Sequence, residues 1–129
     1  MTDARIVFYF DCASAFSYIG FEFMEKYKAL WNIDVDYRPF ILEEQALKGV
    51  VDETVVDQAM AASETLEAVR ANVAHLKELK GFGAPTILAY KAGSTKPQLF
   101  FGSDRFEHLA MYLDREFFPM RQLFANAKI

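Results

Sequence analysis

The sequence predicts an α/β fold around a mixed four-stranded sheet, on three observations. Arg5-Ile6-Val7-Phe8-Tyr9-Phe10-Asp11 is almost unbroken in β-branched and aromatic residues, as suits a central strand covered on both faces. An amphipathic helix and a second strand follow over short links, which implies a parallel βαβ unit. After a long helix and a proline turn, two short strands and a final helix close the chain.

The first strand runs directly into Ser14-Ala15-Phe16-Ser17, where the first helix begins. Free N–H groups and the positive end of the helix dipole favour an anion at such a place. The helix is expected from about Ala15 to Trp31, with Ile19, Phe23, Tyr27, Leu30 and Trp31 near one face. Gly20 inside it signals close packing, and Asn32 ends it. The second strand spans Asp34 to Phe40, and Pro39 marks it as an edge or an exit.

Two helical stretches are expected next, Leu42 to Lys48 and a segment capped by Asp52 with Val55, Val56 and Met60 inward. Ser63 opens a longer helix with the stripe Leu66, Val69, Val73, Leu76 and Leu79, capped at its end by Gly81. Thr86 to Tyr90 and Gln98 to Gly102 read as a hairpin around Ala92–Pro97. Ser103 and Asp104 are expected to cap a last helix carrying Phe106, Leu109, Ala110, Leu113 and Phe117. This order, βαβ … αββα, is that of the thioredoxin-like fold with a short helical insertion after strand two. Residues 1–129 form one domain on this reading, with 41–80 the insertion and connecting helix.

Composition removes several function classes. A hydrophobic content of 53% with 13 Phe excludes a disordered chain. A net charge of −4, with Lys and Arg never clustered beyond pairs, argues against a nucleic-acid partner. No apolar run reaches membrane-spanning length, so no membrane insertion is expected. Cys12 has no second cysteine to bridge with, which fits a reducing, intracellular compartment. The start of the chain has no signal-peptide pattern, and Ala127-Lys128-Ile129 faintly echoes a peroxisomal tripeptide.

The candidate chemistry lies at Ser14 and at Gly83-Ala84-Pro85-Thr86. Within this element order Pro85 is expected to be cis and to turn the backbone of Ala84 toward an extended ligand. Ser-x-x-Ser stands where redox members of the fold carry two cysteines, and dithiol exchange needs two thiols. A serine hydroxyl can instead donate to a ligand's thiolate and favour the ionised thiol. Ser14 also suits plain helix capping, which is compatible with that role. Cys12 beside it is more often an inert packed residue than a reactive one. A carboxylate at Asp104 would accept bonds from an α-ammonium group, and Arg105 suits a carboxylate. His75 and His108 have no partner at metal-ligand spacing, so no metal is expected.

Three blocks make the chain resemble the kappa-class glutathione transferases of the thioredoxin superfamily, relatives of DsbA-like proteins and of 2-hydroxychromene-2-carboxylate isomerases. They are Phe10-Asp11-Cys12-Ala13-Ser14-Ala15-Phe16-Ser17-Tyr18-Ile19-Gly20-Phe21-Glu22, Gly81-Phe82-Gly83-Ala84-Pro85-Thr86 and Phe101-Gly102-Ser103-Asp104-Arg105. The resemblance implies glutathione as co-substrate and a small electrophile or peroxide as its partner. Ser14 would stabilise the glutathione thiolate, and Ala15, Phe16 and Ser17 would lie beside it. Ala84 and Pro85 would meet the cysteinyl part, and Ser103 and Asp104 the γ-glutamyl end. It further implies a homodimer in mitochondria or peroxisomes, with the cytoplasm as the alternative. Two features depart from the family: Ala15 replaces a proline, and residues 41–80 fill a gap that holds a much longer helical domain elsewhere. The shortening leaves two other readings open, a catalytically weak glutathione- or peptide-binding protein and an isomerase-like enzyme.

Overall fold

A computed structural model describes residues 4–11, 14–40 and 63–125. Strand β1 (Arg5–Phe10) leads to helix α1 (Ala15–Trp31) and strand β2 (Asp34–Pro39). Helix α2 (Ser63–Glu78) precedes strands β3 (Thr86–Tyr90) and β4 (Gln98–Phe101). Helix α3 (Phe106–Leu113) and the short α4 (Met120–Leu123) follow. The sheet order is β2-β1-β3-β4, with β1 parallel to β2 and antiparallel to β3, and β3 antiparallel to β4. This is the thioredoxin-like arrangement. The helical stretches expected between Leu42 and Met60 lie outside the described residues.

Alternation along β1 builds two cores, because successive side chains leave opposite faces. Ile6 and Phe8 join Met24, Tyr27 and Trp31 of α1 and Phe106, Leu109 and Leu113 of α3. Val7 and Tyr9 join Leu76 of α2, with Phe40, Leu88 and Tyr90, on the other face. All four of these β1 residues are at most 1% exposed, which makes β1 the doubly covered central strand its sequence predicts.

Four expectations need correction. The buried face of α1 is Ser17, Gly20, Met24, Tyr27 and Trp31, whereas Ile19 and Leu30 are exposed. Gly20 fixes that phase: a Cβ there would stand 3.1 Å from Pro85 Cγ and 3.2 Å from Phe8 Cζ, so the helix approaches the sheet at its glycine. Second, the left-handed residue that ends α2 is Lys80 (φ 62), and Gly81 follows it, its N–H donating to Leu76 O at 2.8 Å. That is the closing pattern of a Schellman motif. Glycine is needed at 81 for space, since a Cβ would stand 2.3 Å from Leu76 Cδ1.

Third, α3 begins one residue later than a Ser103–Asp104 cap requires. Arg105 is its N-cap, and no side chain bonds the free N–H groups there. Fourth, α3 stops at Leu113 because Asp114 turns left-handed (φ 54), so Phe117 lies beyond the helix. The tail then folds back. Phe118 and Leu123 pack on the first core, Tyr27 donates to Phe118 O at 2.9 Å and Trp31 Nε1 to Glu116 O at 2.8 Å.

Candidate functional site

Ser14 sits where the chain leaves the central strand and enters α1. Its N–H donates to Asp11 O at 3.0 Å, closing the turn between the two elements. Its extended backbone (φ −93, ψ 120) and its Oγ, which accepts from Ser17 N at 3.2 Å, make it the N-cap. A serine oxygen that accepts one bond keeps its own proton to donate. Ala15 and Phe16 expose their side chains on the same first turn. Ser17 does other work. It is 2% exposed, and its Oγ accepts from Asp11 N at 3.1 Å, pinning the first turn of the helix to the end of β1. Of the two motif hydroxyls, Ser14 is the more exposed.

The proline turn lies beside this helix. The Ala84–Pro85 bond is cis, as its sequence context predicts. Pro85 is buried against Gly20, and Thr86 Oγ1 donates to Gly83 O at 2.6 Å beneath it. Gly102 N donates to Pro85 O at 3.0 Å, which ties the end of β4 to the same turn. Gly102 has φ 105, and a Cβ there would lie 2.7 Å from Asp104 Oδ1, so glycine lets that carboxylate fold back. The Asp104 side chain is 82% exposed, with Arg105 Nε 4.0 Å away. Ser14, Ala84–Pro85 and Ser103–Asp104, remote in sequence, therefore lie at the same end of the sheet. Helix α1 supplies the first, the β3 approach the second and the β4 exit the third. Cys12 lies outside the described residues.

A cleft of about 350 Å³ opens beside Ser14, lined among the described residues by Phe10, Asp11, Ser14, Ser17, Tyr18 and Phe21. Tyr37 backs it, its ring centroid 5.3 Å from Phe21 and 6.5 Å from Phe10. The Tyr37 hydroxyl donates to Glu25, and burial, followed by that contact with a carboxylate, pushes its pKa well above the ordinary tyrosine value. The sequence reading singled out neither Asp11 nor Tyr18 and Phe21. The signal was present: 14, 17, 18 and 21 recur at one-turn spacing, so they share a helix face. Across the sheet, a second groove of about 370 Å³ borders Gly83 and Phe82, lined also by Leu76 and Lys77.

Fold and site together define a thioredoxin-like protein with hydroxyls at both motif positions. The DSBA-like thioredoxin domain matches residues 5–52, which covers β1, α1 and β2 and hence the Ser14 side of the site. The match speaks for the thioredoxin superfamily and stops short of any one activity. No curated protein matches the chain.

Proposed function

We propose that this chain binds glutathione and acts as a kappa-like glutathione transferase, with Ser14 holding the thiolate. The observation that supports the reading is that the start of α1 at Ser14, the Ala84–Pro85 turn and the Ser103–Asp104 turn lie at the same end of the sheet. The tripeptide would lie along the Ala84 backbone, with its γ-glutamyl ammonium toward Asp104. Its sulfur would sit near Ser14 Oγ and the N–H groups of the first helical turn. A donated hydrogen bond and the helix terminus both favour the ionised thiol. Disulfide exchange at these positions has no chemistry to use, since neither Ser14 nor Ser17 can form a mixed disulfide.

Calorimetric titration with glutathione tests this, using wild type and Ser14→Ala and reading thiolate ultraviolet absorbance in parallel. The wild-type complex is expected to show thiolate at neutral pH and the variant to lose most of it, a thiol pKa higher by about one unit or more. Equal affinity and equal absorbance in both proteins would remove Ser14 from the mechanism.

A further inference from the structure

We infer that Gly20 is a positioning residue for the proposed glutathione site. Its contacts with Pro85 and Phe8 set how closely α1 stands to the proline turn, and hence how well Ser14 reaches a sulfur carried along that turn. The inference rests on the proposed transferase reading and adds to it a residue placed away from the ligand.

Hydrogen bonds fix the first turn of α1 to the end of β1. Ser14 N–H donates to Asp11 O, and Ser17 Oγ accepts from Asp11 N. Neither bond reaches the proline turn. Contact with that turn is made at Gly20, six residues after Ser14 and about 9 Å along the helix. Gly20 is buried, and a Cβ on it would stand 3.1 Å from Pro85 Cγ and 3.2 Å from Phe8 Cζ. Carbon atoms in contact prefer about 3.5–4.0 Å. A methyl group at 20 therefore forces a shift of a few tenths of an ångström, and what yields decides its effect.

Neither neighbour has room to yield. Phe8 is fully buried in the central strand, its ring packed against Phe10 at 6.3 Å and Tyr37 at 5.8 Å. Pro85 is buried too, and its turn is braced on both sides. Gly102 N donates to Pro85 O, and Thr86 Oγ1 donates to Gly83 O. The helix is the element left to move. Tyr27 and Trp31 hold its far end in the aromatic core. The displacement falls on the near end, because a hydrogen bond stretches by that amount more readily than packed rings interpenetrate. That end carries Ser14. A site of this kind has to hold its groups within about 0.5 Å of the productive geometry, so one methyl at 20 is enough to loosen the Ser14 contact.

The test is a cycle of four proteins: wild type, Gly20→Ala, Ser14→Ala and the double variant. Each is titrated with glutathione by calorimetry, read for thiolate ultraviolet absorbance and melted. Gly20→Ala is expected to bind glutathione several-fold more weakly and to show about threefold less thiolate at neutral pH. In the Ser14→Ala background the same substitution should leave affinity and residual thiolate nearly unchanged, because it acts through Ser14 Oγ. A merely structural role would lower both by the same factor in either background. Gly20→Ala should also fail to raise Tm, although alanine is the better helix former. If Gly20→Ala melts too low to assay, Phe8→Leu is added to all four proteins. It opens room on the core side and keeps the Pro85 contact, so the thiolate loss should persist. Wild-type affinity and thiolate in Gly20→Ala overturn the inference and leave the proposed function standing. An equal fractional loss in both backgrounds, or a raised Tm, does the same. Absence of glutathione binding in the wild type overturns the transferase reading and this inference with it.

Discussion

The two faces of the sheet are held by different means. On the α1–α3 face the contacts are aromatic and dispersive: Tyr27 stacks on Trp31 at 4.2 Å and on Phe106 at 5.5 Å. The ring tips of Tyr27 and Trp31 reach backbone groups of the tail, and Ser17 Oγ accepts from Asp11 N at the start of α1. On the α2 face a polar cluster runs from the buried Tyr9 hydroxyl out to the exposed Asp36. The hydroxyl of the fully buried Tyr9 meets His75 Nδ1. Arg38 Nη1 lies 3.2 Å from both, and Asp36 holds Arg38 at 2.8 Å. Packing is tolerant of small rotations, whereas hydrogen bonds fix orientation. The body of α1 is therefore positioned mainly by shape, with hydrogen bonds fixing its first turn, and the α2 face by direction.

Breaking the packed face should have the larger effect. Tyr27→Ala removes a stacked ring and two bonds to Phe118, and is expected to destabilise by about 3–5 kcal/mol in urea unfolding. A loss under about 1 kcal/mol would mean that the stack is dispensable. Tyr9→Phe strikes the polar face. It keeps the ring and deletes the hydroxyl, leaving His75 Nδ1 and Arg38 short of a partner, at a cost of about 1–3 kcal/mol. A neutral result would make that face a packed one like its opposite.

The smallest effect separates the faces by pH. Burial, the largest cause in each case, raises the pKa of Tyr9, Tyr27 and Tyr37 above the ordinary 10.0. Between the unfolded and folded values the unfolded chain binds fewer protons. The stability these groups contribute is thus full below pH 10.0 and falls as pH rises beyond it. Spectrophotometric titration should show three tyrosines ionising late, with the loss of stability reduced in Tyr37→Phe. Six tyrosines titrating together at the ordinary value would contradict it.

Much of this was legible in the sequence because it rests on local rules. The apolar run of β1, the serine at a helix start and the proline before β3 each mark their own element. The phase of α1 was half legible: Gly20 signalled the close approach, but Ser17, which a count of apolar residues discards, is buried beside it. The ends of α2 and α3 were hidden for a related reason. Lys80 and Asp114 are left-handed because the chain must turn there, and neither residue type announces it. Asp11 was missed because its burial depends on α1 folding over the strand end.

The register of β1 on β3 sets Tyr9 opposite Thr86. Ser14 follows the first of these and Pro85 immediately precedes the second. The two sides of the corner are thus joined by the same backbone ladder that joins the first and last thirds of the chain. A segment ending before Pro85 would keep the helix start and all of the matched residues 5–52, but no opposing wall. Affinity at this corner is consequently a readout of sheet closure. Any ligand that spans it draws its binding energy from the assembled fold alone, and returns it as resistance of the whole domain to unfolding.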